Sequence, residues 1–173
     1  LSTGTYRTEG VSPTISPSMD IQVSSNFERA LFDAYGRDGA AVAAQMDELK
    51  STGAFKISQG ALETLREGYA SGRASEDETS GAITHALNTT GELLCPHSAV
   101  GVHVAEQYLG TTPMVALATA HPAKFPDAVE AATGQRPPLP IRMSDLYDRS
   151  ERVTQVENNL TTLEDLIRER RAA

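Results

Sequence analysis

The run Pro113-Met114-Val115-Ala116-Leu117-Ala118-Thr119 constrains this chain more than any other stretch. It is apolar almost without interruption over the length of a strand and shows no alternation. That is the pattern of a strand covered on both faces, as in a parallel sheet with helices on either side. Everything else in the sequence reads as helix, turn or loop. A single strand does not make a sheet. The run therefore calls for partner strands from outside these 173 residues. The chain also begins at Leu1 rather than at a methionine, so a processed protein or a piece of a longer one is expected.

The periodicity around this strand predicts a helix-rich α/β chain in four segments. Residues 1–24 are rich in Gly, Ser, Thr and Pro and read as an extended lead-in. Residues 25–92 read as a helical insertion subdomain. Its first helix opens on Ser25 and Glu28 at capping-box spacing, with Phe27, Ala30, Leu31 and Ala34 on one face and Gly36 at its end. A second helix over 39–51 stops at Gly53, and a third over 59–70 buries Leu62, Leu65 and Tyr69. Ser75 and Glu78 form another capping box, opening a helix that runs to Gly91.

Residues 93–150 have the texture of α/β structure: an apolar Leu93-Leu94-Cys95, a helix over 98–108, the strand, and a helix over 127–133. Prolines 137, 138 and 140 then break the chain. The last segment, 151–173, carries a helix over 155–170. Arg168, Arg170 and Arg171 fall in its final turns, where cations offset the helix dipole.

Composition narrows the function. A net charge of −8 leaves nothing to neutralise a run of phosphates, which argues against a nucleic-acid partner. No apolar stretch approaches the ~20 residues of a membrane span. The lone Cys95 excludes an internal disulfide and fits a reducing, cytoplasmic compartment. Cys95, His97, His103 and His85 match no standard zinc spacing, so no metal site is expected. Cys95 and His97, two apart, suggest a thiolate–imidazole pair, but no third group is placed to orient the histidine.

Three segments stand out as chemistry-bearing. They are Ser16-Pro17-Ser18-Met19-Asp20-Ile21 running on to Ser25-Asn26-Phe27-Glu28-Arg29, then Pro96-His97-Ser98-Ala99-Val100-Gly101, and Ala118-Thr119-Ala120-His121-Pro122-Ala123-Lys124-Phe125. In the last of these a buried strand ends in a turn holding a hydroxyl, an imidazole and an ammonium. Ligands of open α/β sheets bind outside such strand ends.

In this order and spacing, over roughly residues 12–149, the segments resemble those of threonine synthases of the microbial and fungal class. The resemblance implies a fold-type-II pyridoxal-phosphate enzyme, related in architecture to the tryptophan synthase β subunit. Its reaction would turn O-phospho-L-homoserine and water into L-threonine and phosphate. It further implies that Thr119 contacts the pyridine nitrogen of the cofactor, and that Asn26, Arg29 and His121 lie toward the substrate. Each also has a plainer reading: Thr119 bonding backbone at a strand end, His121 capping a turn, Arg29 pairing with a neighbour.

The family's Schiff-base lysine sits in a Phe-Lys-Asp motif, and a Gly-Asn-Phe loop cradles the cofactor phosphate. Neither motif is in this sequence. Ala54-Phe55-Lys56-Ile57 has isoleucine where the aspartate belongs, and Lys124 reads as a surface charge. No catalytic residue is thus expected in this chain, which would need the N-terminal remainder of the same enzyme and be inactive alone. Two departures from the family pattern fall together, Cys95 for an aspartate and Ser98 for a threonine, the serine keeping a hydroxyl at a helix start. The alternative is a stand-alone acidic helical interaction module without activity.

Overall fold

A computed structural model describes residues 1–172. The chain divides into two compact units, Leu1–Pro138 and Leu139–Ala173. Helix accounts for 54% of it, beside one small sheet.

The first unit holds that sheet: β1 (Thr5–Arg7) pairs antiparallel with β2 (Ala54–Lys56), Tyr6 lying opposite Phe55. Its lead-in was too rich in turn-forming residues to announce a three-residue strand. Aromatic stacking fixes the pairing, since the Tyr6 ring lies 5.3 Å from Phe55 and 5.6 Å from Phe27. Helix α1 (Ser25–Ala34), α2 (Gly39–Thr52) and α3 (Gln59–Gly68) close over the sheet. Leu31, Val42, Leu49, Phe55, Ile57, Leu62 and Leu65 form their shared core.

The capping box expected at Ser25 is not made. Helix α1 already begins at Ser25, which places Glu28 one position too deep, and Ser24 is the N-cap with no side-chain bond. The Tyr6 hydroxyl instead accepts the Ser24 N–H at 2.8 Å and donates to the Gln22 carbonyl at 3.1 Å. Tyr69, expected inside, is 59% exposed, because α3 ends at Gly68 and residue 69 turns into extended backbone.

Helix α4 (Glu76–Thr90) opens on the predicted box: the Ser75 hydroxyl accepts the Glu78 N–H, and the Glu78 carboxylate accepts the Ser75 N–H. It packs against α5 (Pro96–Glu106) and α6 (Pro126–Thr133) through Ala82, Ile83 and Ala99. The Thr84 hydroxyl donates to the Ala132 carbonyl at 2.8 Å, tying α4 to the end of α6.

The predicted strand over 113–119 is not formed. The segment has no regular secondary structure and pairs with no strand among the described residues, and Val115 and Leu117 are 78% and 79% exposed. The physical reason is the one its sequence announced. A strand covered on both faces needs neighbours on both edges and layers above and below, and the described residues supply none.

In the second unit, short 3-10 turns at Ile141–Met143 and Leu146–Asp148 precede α7 (Leu160–Ala172). This last helix starts five residues later than its periodicity suggests. The Asn159 side chain accepts the Thr162 N–H at 3.2 Å, stopping the chain from continuing the helix toward 155. Arg170 and Arg171 sit in its last turn, as the sequence implies.

Candidate functional site

The end of segment 113–119 is held by the start of α5. Cys95 is the N-cap of that helix, with Pro96 in its first turn, and the Cys95 Sγ accepts the Ser98 N–H at 3.4 Å. The cap expected of the Ser98 hydroxyl is therefore made by the thiol. Ser98, only 4% exposed, turns its hydroxyl to Thr119 instead. The Thr119 N–H donates to Ser98 Oγ at 3.1 Å, and the two hydroxyl oxygens lie 3.4 Å apart. The Cys95 Sγ is 3.2 Å from the same Ser98 oxygen.

Beside this trio lies a cavity of about 220 Å³, lined by Ser18, Met19, His97, Thr119, Ala120, Lys124 and Phe125. It joins the Ser-Pro-Ser-Met turn, the Pro-His-Ser helix start and the Thr-Ala-His turn, which are far apart in sequence. Complete small-molecule sites run to ~300–1,000 Å³, so this cavity has the size of part of a site.

His97, weighed in the sequence only as a partner for Cys95 or a metal, has a different place. It is 5% exposed, packed against Phe125 with ring centroids 4.4 Å apart, and its Nε2 accepts the Ser18 N–H at 3.0 Å. An Nε2 that accepts leaves the ring proton on Nδ1. That Nδ1 is buried and has no hydrogen-bond partner among the described residues. Burial, with the nearby Lys124 charge, holds the imidazole pKa below its ordinary value against the pull of Asp20. The ring is neutral at neutral pH. The one local signal was its place in the run Cys95-Pro96-His97-Ser98-Ala99, small and apolar enough to suggest burial.

The other residues singled out in the sequence separate. The His121 Nδ1 accepts the Ala123 N–H at 3.1 Å, capping the 3-10 turn Pro122–Lys124, and His121 does not line the cavity. Lys124 does line it, with its Nζ 5.6 Å from the Phe125 ring centroid. Asn26 and Arg29 meet each other, Arg29 Nη2 donating to Asn26 Oδ1 at 2.6 Å, along a different cleft of about 650 Å³ lined also by Tyr6, Phe27 and Tyr69. No cluster of metal-ligating side chains occurs among the described residues.

Residues 98–167 match the family described as Threonine synthase, C-terminal. The chain is 42% identical over 165 residues to the threonine synthase of Pseudomonas aeruginosa, an alignment covering 94% of this chain and 35% of that protein. A crystal structure of pyridoxal-phosphate-bound threonine synthase from Brucella melitensis superposes at a TM-score of 0.90 and 51% identity, over 99% of this chain and 37% of that one. The yeast threonine synthase structure superposes at 0.80 and 30% identity, over 99% of this chain and 39% of that one. With the fold and these matches together, the chain belongs to the threonine synthase family. It spans about a third of the length of the curated relatives it matches, 35% and 36% for two of them. Nothing in these matches supports a stand-alone interaction module.

Proposed function

We propose that this chain forms part of a threonine synthase that converts O-phospho-L-homoserine and water to L-threonine and phosphate. The observation that carries the proposal is the convergence of Ser18, His97 and Thr119 on one cavity, with Ser98 bonded to Thr119 behind it, in a chain of this family. In this reading the β carbon of the substrate gives up a proton, phosphate leaves the γ carbon, which gains one, and the hydroxyl of water adds at the β carbon. Pyridoxal phosphate, when bound, supplies the electron sink for that chemistry.

The residues present fit one side of such a cofactor. The cavity is lined by Thr119, His97 and Lys124, which carry a neutral hydroxyl, an imidazole and an ammonium. The Thr119 hydroxyl would face the pyridine nitrogen. A hydroxyl donates or accepts without carrying charge, so it holds a ring nitrogen without forcing it to be protonated. The neutral His97 ring adds no positive charge there. Lys124 makes the cavity rim favourable for an anionic group, and Asn26 and Arg29 supply a second polar patch.

Lys50, Lys56 and Lys124 are the only lysines in the sequence, and none stands in the family's cofactor-binding motif. The Schiff-base lysine and phosphate loop of this fold-type-II site would come from the N-terminal remainder of the enzyme. Residues 93–150 would belong to the cofactor domain and 25–92 to a helical insertion. A cytoplasmic location fits a biosynthetic enzyme with one free cysteine and, among the described residues, no helix long and apolar enough to cross a membrane.

The test is turnover of O-phospho-L-homoserine by the protein encoded in the complete reading frame that contains these residues. Threonine and phosphate should appear in equal amounts with pyridoxal phosphate present, and this chain alone should form neither. A complete protein that binds pyridoxal phosphate but leaves phosphohomoserine untouched would sink the proposal, as would threonine formation by this chain by itself.

A further inference from the structure

Thr119 closes a chain of three polar side chains, Cys95, Ser98 and Thr119. The Ser98 oxygen already accepts one proton, from the Thr119 backbone at 3.1 Å. Its remaining lone pair faces the Cys95 sulfur at 3.2 Å, and its own O–H can reach Thr119 Oγ1 at 3.4 Å. Cys95 is 1% exposed, so its thiol meets no water. One order of the hydrogens gives the thiol and the serine hydroxyl each an acceptor: the Cys95 S–H donates to Ser98 Oγ, the Ser98 O–H donates to Thr119 Oγ1, and the Thr119 O–H stays free as a donor.

We propose that Ser98 is a positioning residue that fixes the backbone of Thr119 and orients its hydroxyl as a donor toward the ring nitrogen of the bound cofactor. Without Ser98, the Thr119 N–H loses its acceptor and the threonine hydroxyl becomes a free rotor. The residue would then present a lone pair as readily as a proton. A donor at this position favours the unprotonated ring nitrogen; an acceptor favours the protonated one. Ser98 therefore acts on the electronic state of the cofactor without touching it. This inference rests on the reading that Thr119 faces the cofactor.

The experiment uses the complete protein with pyridoxal phosphate, in wild-type, Ser98→Ala, Ser98→Thr, Thr119→Val and double-variant forms. Two quantities are read: the Kd for pyridoxal phosphate, and the pH midpoint of the absorbance change of the bound cofactor. Loss of one hydrogen bond's orientation should raise Kd roughly five- to tenfold in Ser98→Ala. The absorbance midpoint should move in the same direction as in Thr119→Val. Ser98→Thr, which keeps the hydroxyl, should match wild type, and the double variant should be no worse than Thr119→Val.

If Thr119→Val changes both quantities and Ser98→Ala neither, the positioning role is overturned while the Thr119 reading stands. If neither variant changes them, both readings fall. Additive effects in the double variant would also overturn the proposal, since they would mean that Ser98 acts by another route. Should Ser98→Ala not fold, Ser98→Cys keeps the packing with a weaker hydrogen bond, and an unmoved midpoint there overturns it equally.

Discussion

The Nε2 of His97 accepts the backbone N–H of Ser18 at 3.0 Å, across 79 residues of sequence. This bond pins the Pro17–Met19 turn against the start of α5 and so forms one wall of the cavity beside Thr119. The turn has support of its own, from Thr14 donating to both carboxylate oxygens of Asp20, but among the described residues no other hydrogen bond joins Ser18 to α5.

Replacing this ring should loosen the whole wall. His97→Ala leaves the Ser18 N–H without its acceptor and opens a void beside Phe125. Together these cost on the order of 3 kcal/mol. Urea unfolding at pH 7.5 measures the loss. A change below about 1 kcal/mol would show that the Ser18 contact contributes little.

The same histidine gives stability a pH dependence of known sign. Its folded pKa is depressed, first by burial, then by Lys124, with Asp20 opposing. As pH falls through the ordinary value of 6.5, the unfolded chain takes up a proton at this site and the folded chain does not. The contribution is therefore level above about pH 6.5. It declines below that point, until the pH reaches the lowered folded value. Urea midpoints from pH 7.5 down to 5 should fall more steeply for wild type than for His97→Gln. Parallel curves would remove His97 from the account.

Gly4 is the tightest glycine in the sheet region. Its backbone has φ +68°, and an added Cβ would stand 2.7 Å from Leu62 Cδ2. The leucine tip can yield, but the left-handed backbone cannot be relieved by repacking. Gly4→Ala should cost about 1–2 kcal/mol. It should act by detaching β1, since the Gly4 carbonyl accepts the Ile57 N–H at 2.8 Å. Thermal unfolding with Tyr6 fluorescence tests this; an unshifted Tm would mean that β1 is not part of the cooperative unit.

What the sequence disclosed was local. The Ser75–Glu78 box was legible because both partners lie within one turn, and Gly53 and Gly91 each end their helices as left-handed caps. The box at Ser25 failed by one residue, because a tertiary bond from Tyr6 settles the turn before α1. Strands β1 and β2 are three residues each, too short to show a period, and are paired through aromatic stacking that no window detects. In the site, Thr119 was found through family resemblance. Its hold on Ser98 spans 21 residues, and the hold of His97 on Ser18 spans 79, so neither left a local trace. His121 showed the reverse: a residue prominent in its motif whose ring caps its own turn.

The unpaired segment before Thr119 has a consequence in time rather than in space. The backbone amides of Met114, Val115, Ala116, Leu117 and Ala118 find no acceptor among the described residues, and the next amide, that of Thr119, is held by Ser98. In deuterated water the first five should exchange at rates close to those of an open chain, while Thr119 should lag by at least an order of magnitude. That step, one peptide wide, marks where the backbone of this segment gains its first partner among the described residues. In the complete protein the step should vanish, with all six amides slowed together.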